Sequence, residues 1–295
     1  MERKLFIDSD IQNGFAVNAI THYQGYVRIG DFQYPGAIDK PSWMIDPWYS
    51  KYCLWDDRKQ SDVYTITDGI TKTVTHHPED CSLTMRLNAA NVYEGRPSGD
   101  ELWPHLLLEQ VPFCDYKSLP EEEKRFYCLE KQRTELTINI RMPAFSNTTN
   151  PEGINACQFM AYFYLTLIDD PKRFIYFGLN FFDSRGLMDT YWHIDTVGTE
   201  MIYLMSTVDT FDSADRSLNC FAPPQSISEW IPIRLDLTPH IDKAISLANI
   251  DNIYSRTVSR KDFFWRGTNI GFETHGNIDA TIEIRNYNLI SHIVD

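Results

Sequence analysis

Along Arg133-Thr-Glu-Leu-Thr-Ile-Asn-Ile-Arg-Met142 every second residue from Leu136 onward is apolar. Leu136, Ile138, Ile140 and Met142 share one side, and Arg133, Glu135, Thr137, Asn139 and Arg141 share the other. A period of two is that of an extended strand, whose side chains point alternately to opposite faces. The segment therefore predicts a strand with one buried and one polar face. Arg173 to Asp183 repeats the pattern, with Ile175, Phe177, Leu179 and Phe181 interleaved with Tyr176, Gly178, Asn180 and Phe182.

The same reading predicts strands at 63–75, 82–89, 103–110, 159–167, 190–196, 201–206, 230–235, 269–274 and 280–289, separated by Gly, Pro, Asn and Asp. So many strands cannot each bury a face alone, and two packed sheets are the economical solution. The predicted fold is all-β, a two-sheet antiparallel sandwich of the jelly-roll kind. Helix signals are confined to two connectors: Ser118-Leu-Pro-Glu121 has capping-box spacing, and Thr238-Pro239 opens a segment in which Ile241, Ala244, Ile245 and Ala248 recur at helical spacing. Residues 1–295 read as one domain, since sandwiches often run to 200–250 residues or more. Residues 1–57 are expected to form an irregular arm wrapping it, because Pro35, Pro41, Trp43, Pro47, Trp48 and Trp55 crowd together there.

Charge and composition exclude several function classes. Lys plus Arg number 27 against 41 Asp plus Glu, a net charge of −14 that repels a phosphate backbone, so nucleic acid is not an expected partner. No apolar run approaches the roughly 18 residues of a membrane span. Met1-Glu-Arg-Lys-Leu-Phe-Ile-Asp8 has no apolar stretch of signal-peptide length, which places the chain in the cytoplasm, or outside the cell if already processed. The six cysteines form no CxxC pair and read as free thiols, with disulfides the alternative. A phosphate loop, a nucleophile elbow and an HExxH helix are all missing, which removes P-loop, α/β-hydrolase and zincin chemistry.

The polar strand faces are the candidate site. Trp103, His105, Leu107 and Glu109 alternate on one side of Trp103–Gln110, and Arg133, Glu135, Asn139 and Arg141 line the strand already described. If both faces share one concavity they form a groove of carboxylates, guanidinium groups, an imidazole and an amide, extended by Tyr162, Tyr164, Asn180, Trp192 and His193. Such a groove suits an oligosaccharide or polysaccharide, whose hydroxyls need polar partners and whose C–H faces stack on rings. The alternative is that these side chains are the solvated outer face of an antiparallel sheet. Glu109 and Glu135 are the candidate carboxylate pair for glycosidic chemistry, with His105 beside them.

The alternation, the helix near Pro239 and the closing Asn269-Ile-Gly-Phe-Glu-Thr-His-Gly-Asn-Ile-Asp-Ala-Thr-Ile-Glu-Ile-Arg-Asn-Tyr-Asn-Leu289 resemble the concanavalin A-like jelly-roll superfamily of lectins, glucanases and polysaccharide lyases. The resemblance spans about residues 60–290 and implies the sandwich, a glycan partner and, for an enzyme, glycoside hydrolysis or polysaccharide cleavage. Arg133-Thr-Glu-Leu136 is similar to the Arg-Ser/Thr-Glu-Leu strand of alginate-lyase-like enzymes, which implies a sugar-contacting role for Arg133. Their Gln-Ile/Val-His segment is absent, since Gln158-Phe159-Met160 has no His, and so is the glucanase Glu-x-Asp-x-(x)-Glu strand.

No cofactor is expected, apart from a structural calcium for which Asp209, Asp212 and Asp215 are candidate ligands; an acidic turn is the alternative. Asp183-Ser-Arg-Gly186 and Trp192-His-Ile-Asp195 read as capped turns or catalytic segments. The alternative to a glycan protein is a non-catalytic interaction or structural module that docks a partner through Trp43, Trp48 and Trp55, provided they are exposed.

Overall fold

The chain is described by a computed structural model covering residues 1–294 apart from 20–26, 51, 55–62, 93–102, 149–154, 187–189, 195–200 and 206–226. Two sheets face each other. In the seven-stranded sheet the order is β14 (Ile227–Asp236), β9 (Gln132–Asn147), β16 (Ile278–Ile293), β7 (Ser82–Asn88), β6 (Lys72–His77) and β5 (Thr65–Thr67), with β1 (Glu2–Lys4) also paired to β16. In the nine-stranded sheet it is β12 (Tyr191–His193), β13 (Met201–Met205), β11 (Phe174–Asp183), β10 (Ala156–Leu167), β15 (Phe263–His275), β8 (His105–Gln110), β4 (Trp43–Asp46), β2 (Phe15–Asn18) and β3 (Arg28–Phe32). Pairing is antiparallel except at β11–β13 and β2–β4. The all-β sandwich expected from the alternation is therefore the fold.

The period-two stripes supply the core. Leu136, Ile138, Ile140 and Met142 of β9 meet Phe159, Phe163, Ile175, Phe177 and Ile270 of the opposite sheet, all buried. Trp265, on β15, packs edge-on to Phe163 at 5.7 Å, and its indole N–H donates across the seam to Thr134 Oγ1 at 3.2 Å. A buried indole without that acceptor would forfeit a hydrogen bond, so the contact fixes how the sheets lie on one another. Helix α3 (Thr238–Ile250) follows α1 (Ala89–Val92) and α2 (Glu121–Lys124) and buries the predicted Ile241, Ala244, Ile245 and Ala248 against this core. No helix of the described residues is long and apolar enough to cross a membrane.

Residues 1–57 are not irregular as expected. They contribute β1 to β16 through Glu2↔His292, and β4 to β8 through Ile45↔Leu108, with β2 and β3 beyond it. These strands are three to five residues long, too short for an alternation to register, and β4 is further hidden between Pro41 and Pro47. Trp43 and Ile45 of β4 are buried while Met44 and Asp46 face the other way. The three-tryptophan docking patch is accordingly not formed by Trp43, which is 1% exposed and packs on Phe6 at 5.5 Å. Trp48 is half-buried, and Trp55 lies outside the described residues.

The arm is pinned by a buried charge. Lys72 is 1% exposed, and its ammonium donates to Asp68 Oδ2 at 2.9 Å, to Thr71 Oγ1 at 2.9 Å, to the Tyr52 carbonyl at 3.0 Å and to Ser50 Oγ. Burial pulls the Lys72 ammonium below its ordinary value, although Asp68 opposes the shift. Removing one member of a buried ion pair leaves the other uncompensated. Lys72→Ala is expected to cost about 3–5 kcal/mol in urea denaturation, whereas exposed Lys4→Ala should leave the midpoint within error.

Candidate functional site

The face of the nine-stranded sheet turned away from the core carries the polar cluster. Alternation puts Leu106 and Leu108 of β8 into the core and leaves His105, Leu107 and Glu109 outside. Register then assigns their neighbours: Glu109 lies opposite Asn269 and Met44, and His105 opposite Glu273. On β10, Met160 and Tyr162 pair with Asn180 and Gly178 of β11. Tyr162 stacks on Tyr176 with centroids 4.3 Å apart and planes 5° from parallel. A side chain at Gly178 would meet the Tyr162 ring at 2.4 Å, so glycine is what lets the ring lie flat on the strand.

Of the predicted residues, His105, Glu109, Tyr162, Tyr164 and Asn180 share this face, joined by His193 through its pairing with Ile202. Trp192 pairs with Tyr203, is 42% exposed, and donates its indole N–H to Asp251 Oδ2 at 3.0 Å. Trp103 precedes β8, its ring 5.8 Å from that of His275. The expected convergence of both strands in one groove is not found: Arg133, Glu135, Asn139 and Arg141 lie on β9, in the other sheet, facing away from the core. There they pair with one another and with neighbouring strands. Glu135 accepts from Arg234 Nε at 2.8 Å, and Arg141 Nε donates to Glu283 Oε2 at 2.6 Å with its guanidinium 4.6 Å from the Trp230 centroid. Glu109 and Glu135 thus lie on opposite sides of the core and cannot act on one glycosidic bond.

Several members were missed by the sequence reading. Asp46 and Asn18 sit on the short arm strands, and Glu273, Asn269 and Tyr176 lie on strands that were predicted without using their polar faces. The sequence signal for Asp46 was weak, since Trp43-Met-Ile-Asp46 is three apolar residues followed by an acid and shows no polar–apolar alternation.

Two microenvironments result. At the inner end, Asp46 and Glu109 lie diagonally across β4 and β8 on the same face, at 0% and 1% exposure. Asn18 Nδ2 donates to Asp46 Oδ1 at 2.5 Å, and the Tyr164 hydroxyl donates to Glu109 Oε1 at 2.6 Å. Burial first, and then the Glu109 carboxyl, hold the Asp46 acid well above the usual carboxylate range. A proton on Asp46 removes the repulsion of two neighbouring buried carboxylates.

At the other end, the Nδ1 of His105 lies 2.6 Å from the Trp103 carbonyl, so Nδ1 carries the proton and Nε2 faces Glu273 Oε1 at 3.5 Å. The Glu273 side chain is 28% exposed, and Trp48 and Tyr49 stand 5.9 and 5.5 Å from the imidazole. Asp183 binds Arg185 and Gln158 and caps the Arg185 amide, which is the turn reading of that segment. His76 and His77 lie on β6, bonded to the Asp10 carbonyl and to Thr84 Oγ1, with no third ligand among the described residues. The Asp209–Asp215 calcium candidate lies outside the described residues.

No protein-family profile matches this sequence, and no curated protein matches it. Solved structures show distant likeness. The endoglucanase cel12A from Rhodothermus marinus aligns at 11% identity and a TM-score of 0.39 over 76% of this chain and 87% of that one. The family 11 xylanase from Neocallimastix patriciarum aligns at 7% and 0.42 over 75% and 86%. The family 12 xyloglucanase from Bacillus licheniformis aligns at 13% and 0.39 over 81% and 90%.

An acid whose folded-state pKa is raised binds more protons in the native than in the unfolded state. Its stabilisation is therefore full at low pH and is lost as pH rises from the unfolded value of 3.8 towards the raised one. In chelator-treated protein the urea midpoint is expected to fall as pH rises above the unfolded value of 3.8, and Asp46→Asn should flatten that slope. A rising midpoint over this range, abolished by Asp46→Asn, would contradict the proton on Asp46.

Proposed function

We propose that the chain binds carbohydrate on the outer face of the nine-stranded sheet, at the end formed by His105, Glu273, Trp48, Tyr49 and Trp103. The observation that carries this reading is the imidazole–carboxylate pair, partly open to solvent and flanked by aromatic rings. The carboxylate and the imidazole Nε2 accept from sugar hydroxyls, and the rings offer apolar faces to C–H groups.

Carboxylate spacing favours binding over two-carboxylate hydrolysis. Retaining and inverting enzymes hold their carboxyls about 5 Å or about 6.5–9.5 Å apart. Asp46 and Glu109 are 0% and 1% exposed, too deeply buried to meet a glycosidic bond. Glu273 lies four strand residues from Asn269, the partner of Glu109, a rise of about 13 Å. Arg133 and Arg141, which would favour acidic sugars, belong to the opposite side of the molecule. No described cluster of exposed tryptophans supports the alternative of a protein-docking module.

A panel of soluble oligosaccharides titrated calorimetrically into folded protein is expected to show saturable binding. Glu273→Gln and His105→Ala should each weaken it about tenfold or more, the effect of losing a hydrogen bond to a charged group. Failure of every glycan to bind protein shown to be folded by circular dichroism would remove the proposal.

A further inference from the structure

Three oxygens on neighbouring strands of the nine-stranded sheet have no hydrogen-bond donor among the described residues: Asn18 Oδ1 on β2, Asp46 Oδ2 on β4 and Glu109 Oε2 on β8. Their residues are 1%, 0% and 1% exposed, drier than the surface assigned above to sugar. Val17↔Ile45 and Met44↔Glu109 pairing brings them to one face. The companion atoms are engaged, Asn18 Nδ2 with Asp46 and Glu109 Oε1 with Tyr164, so each side chain is held in place with one oxygen free. Buried acceptors normally find a donor, and three unpartnered together point to a missing positive species.

A proton on Asp46 answers this only in part. It neutralises one carboxyl, but leaves Asn18 Oδ1 open and one negative charge in a dry site. Among the described residues the two carboxyls are hydrogen-bonded by Asn18 and Tyr164, neither of them a cation. We propose that Asn18, Asp46 and Glu109 form a binding site for a hard divalent cation, calcium, which displaces that proton and ties the arm strands β2 and β4 to β8. The donors are two carboxylates and an amide carbonyl, all oxygen, which suits calcium and not zinc with its preference for nitrogen and sulfur. Magnesium gives up its water shell reluctantly and fits poorly where the ligands are buried, whereas calcium accepts irregular oxygen sets. The site is independent of the glycan reading and differs from the Asp209–Asp215 stretch.

Terbium is the probe, because the Tyr164 hydroxyl bonded to Glu109 places a sensitising ring beside the ion. Chelator-stripped protein titrated with terbium chloride is expected to give saturable tyrosine-sensitised emission at one ion per chain. Calcium chloride should displace it at concentrations where magnesium chloride does not. Emission should survive in Asp212→Asn and vanish in Asp46→Asn that circular dichroism shows to be folded. Absence of saturable emission from the wild type, loss of it in Asp212→Asn, or its persistence in folded Asp46→Asn would each overturn the site. If Asp46→Asn does not fold, the wild type and Asp212→Asn still decide between the two locations.

Discussion

Burial of period-two apolar stripes between the two sheets positions everything else in this molecule. Leu136, Ile138 and Ile140 on one side, and Phe159, Phe163 and Phe177 on the other, have no solvent contact. Slipping any of these strands by one residue would turn its apolar side chains outward and its polar ones inward. Register is therefore fixed by the core, and the outward faces inherit their arrangement from it. The Trp265–Thr134 hydrogen bond across the seam adds a directional contact to an otherwise non-directional force.

The two outer faces spend their polar residues differently. On the seven-stranded sheet, Arg141 with Glu283, Arg86 with Asp279 and Arg234 with Glu135 neutralise one another across adjacent strands. Such partly exposed pairs contribute little energy individually and leave no unanswered charge. On the nine-stranded sheet Asp46 and Glu109 have, among the described residues, only amide and hydroxyl donors and no basic partner. Unsatisfied buried acceptors are costly, which distinguishes this face from the more conspicuous arginine-bearing one, where Arg141, Arg86 and Arg234 meet carboxylates.

The arm completes that face. Without β4, Glu109 would lose Asp46, and without β2 the Asn18 amide would be absent. Lys72 holds the chain just after β4 through Ser50 and the Tyr52 carbonyl, so a buried cation in the seven-stranded sheet anchors the segment that supplies part of the other sheet's outer surface.

The sandwich was legible because alternation is local: Arg133–Met142 and Arg173–Asp183 declare their buried sides without reference to any partner. The helix at Thr238–Ile250 was legible for the same reason, its apolar spacing being contained in thirteen residues. The site was legible only in fragments. Sequence identified Glu109 and His105 as outward-facing, but nothing local to Arg133–Arg141 says which sheet it joins, and both polar faces look alike until the sheets are assembled. Asp46 escaped because four residues between prolines carry too little periodicity, and its meeting with Glu109 depends on a pairing across about sixty residues. By itself, then, the sequence determined which side of each long strand is buried, since that follows from side-chain hydrophobicity at fixed spacing. Only the tertiary structure decided which polar faces share a surface, since strand order depends on contacts far apart in the chain.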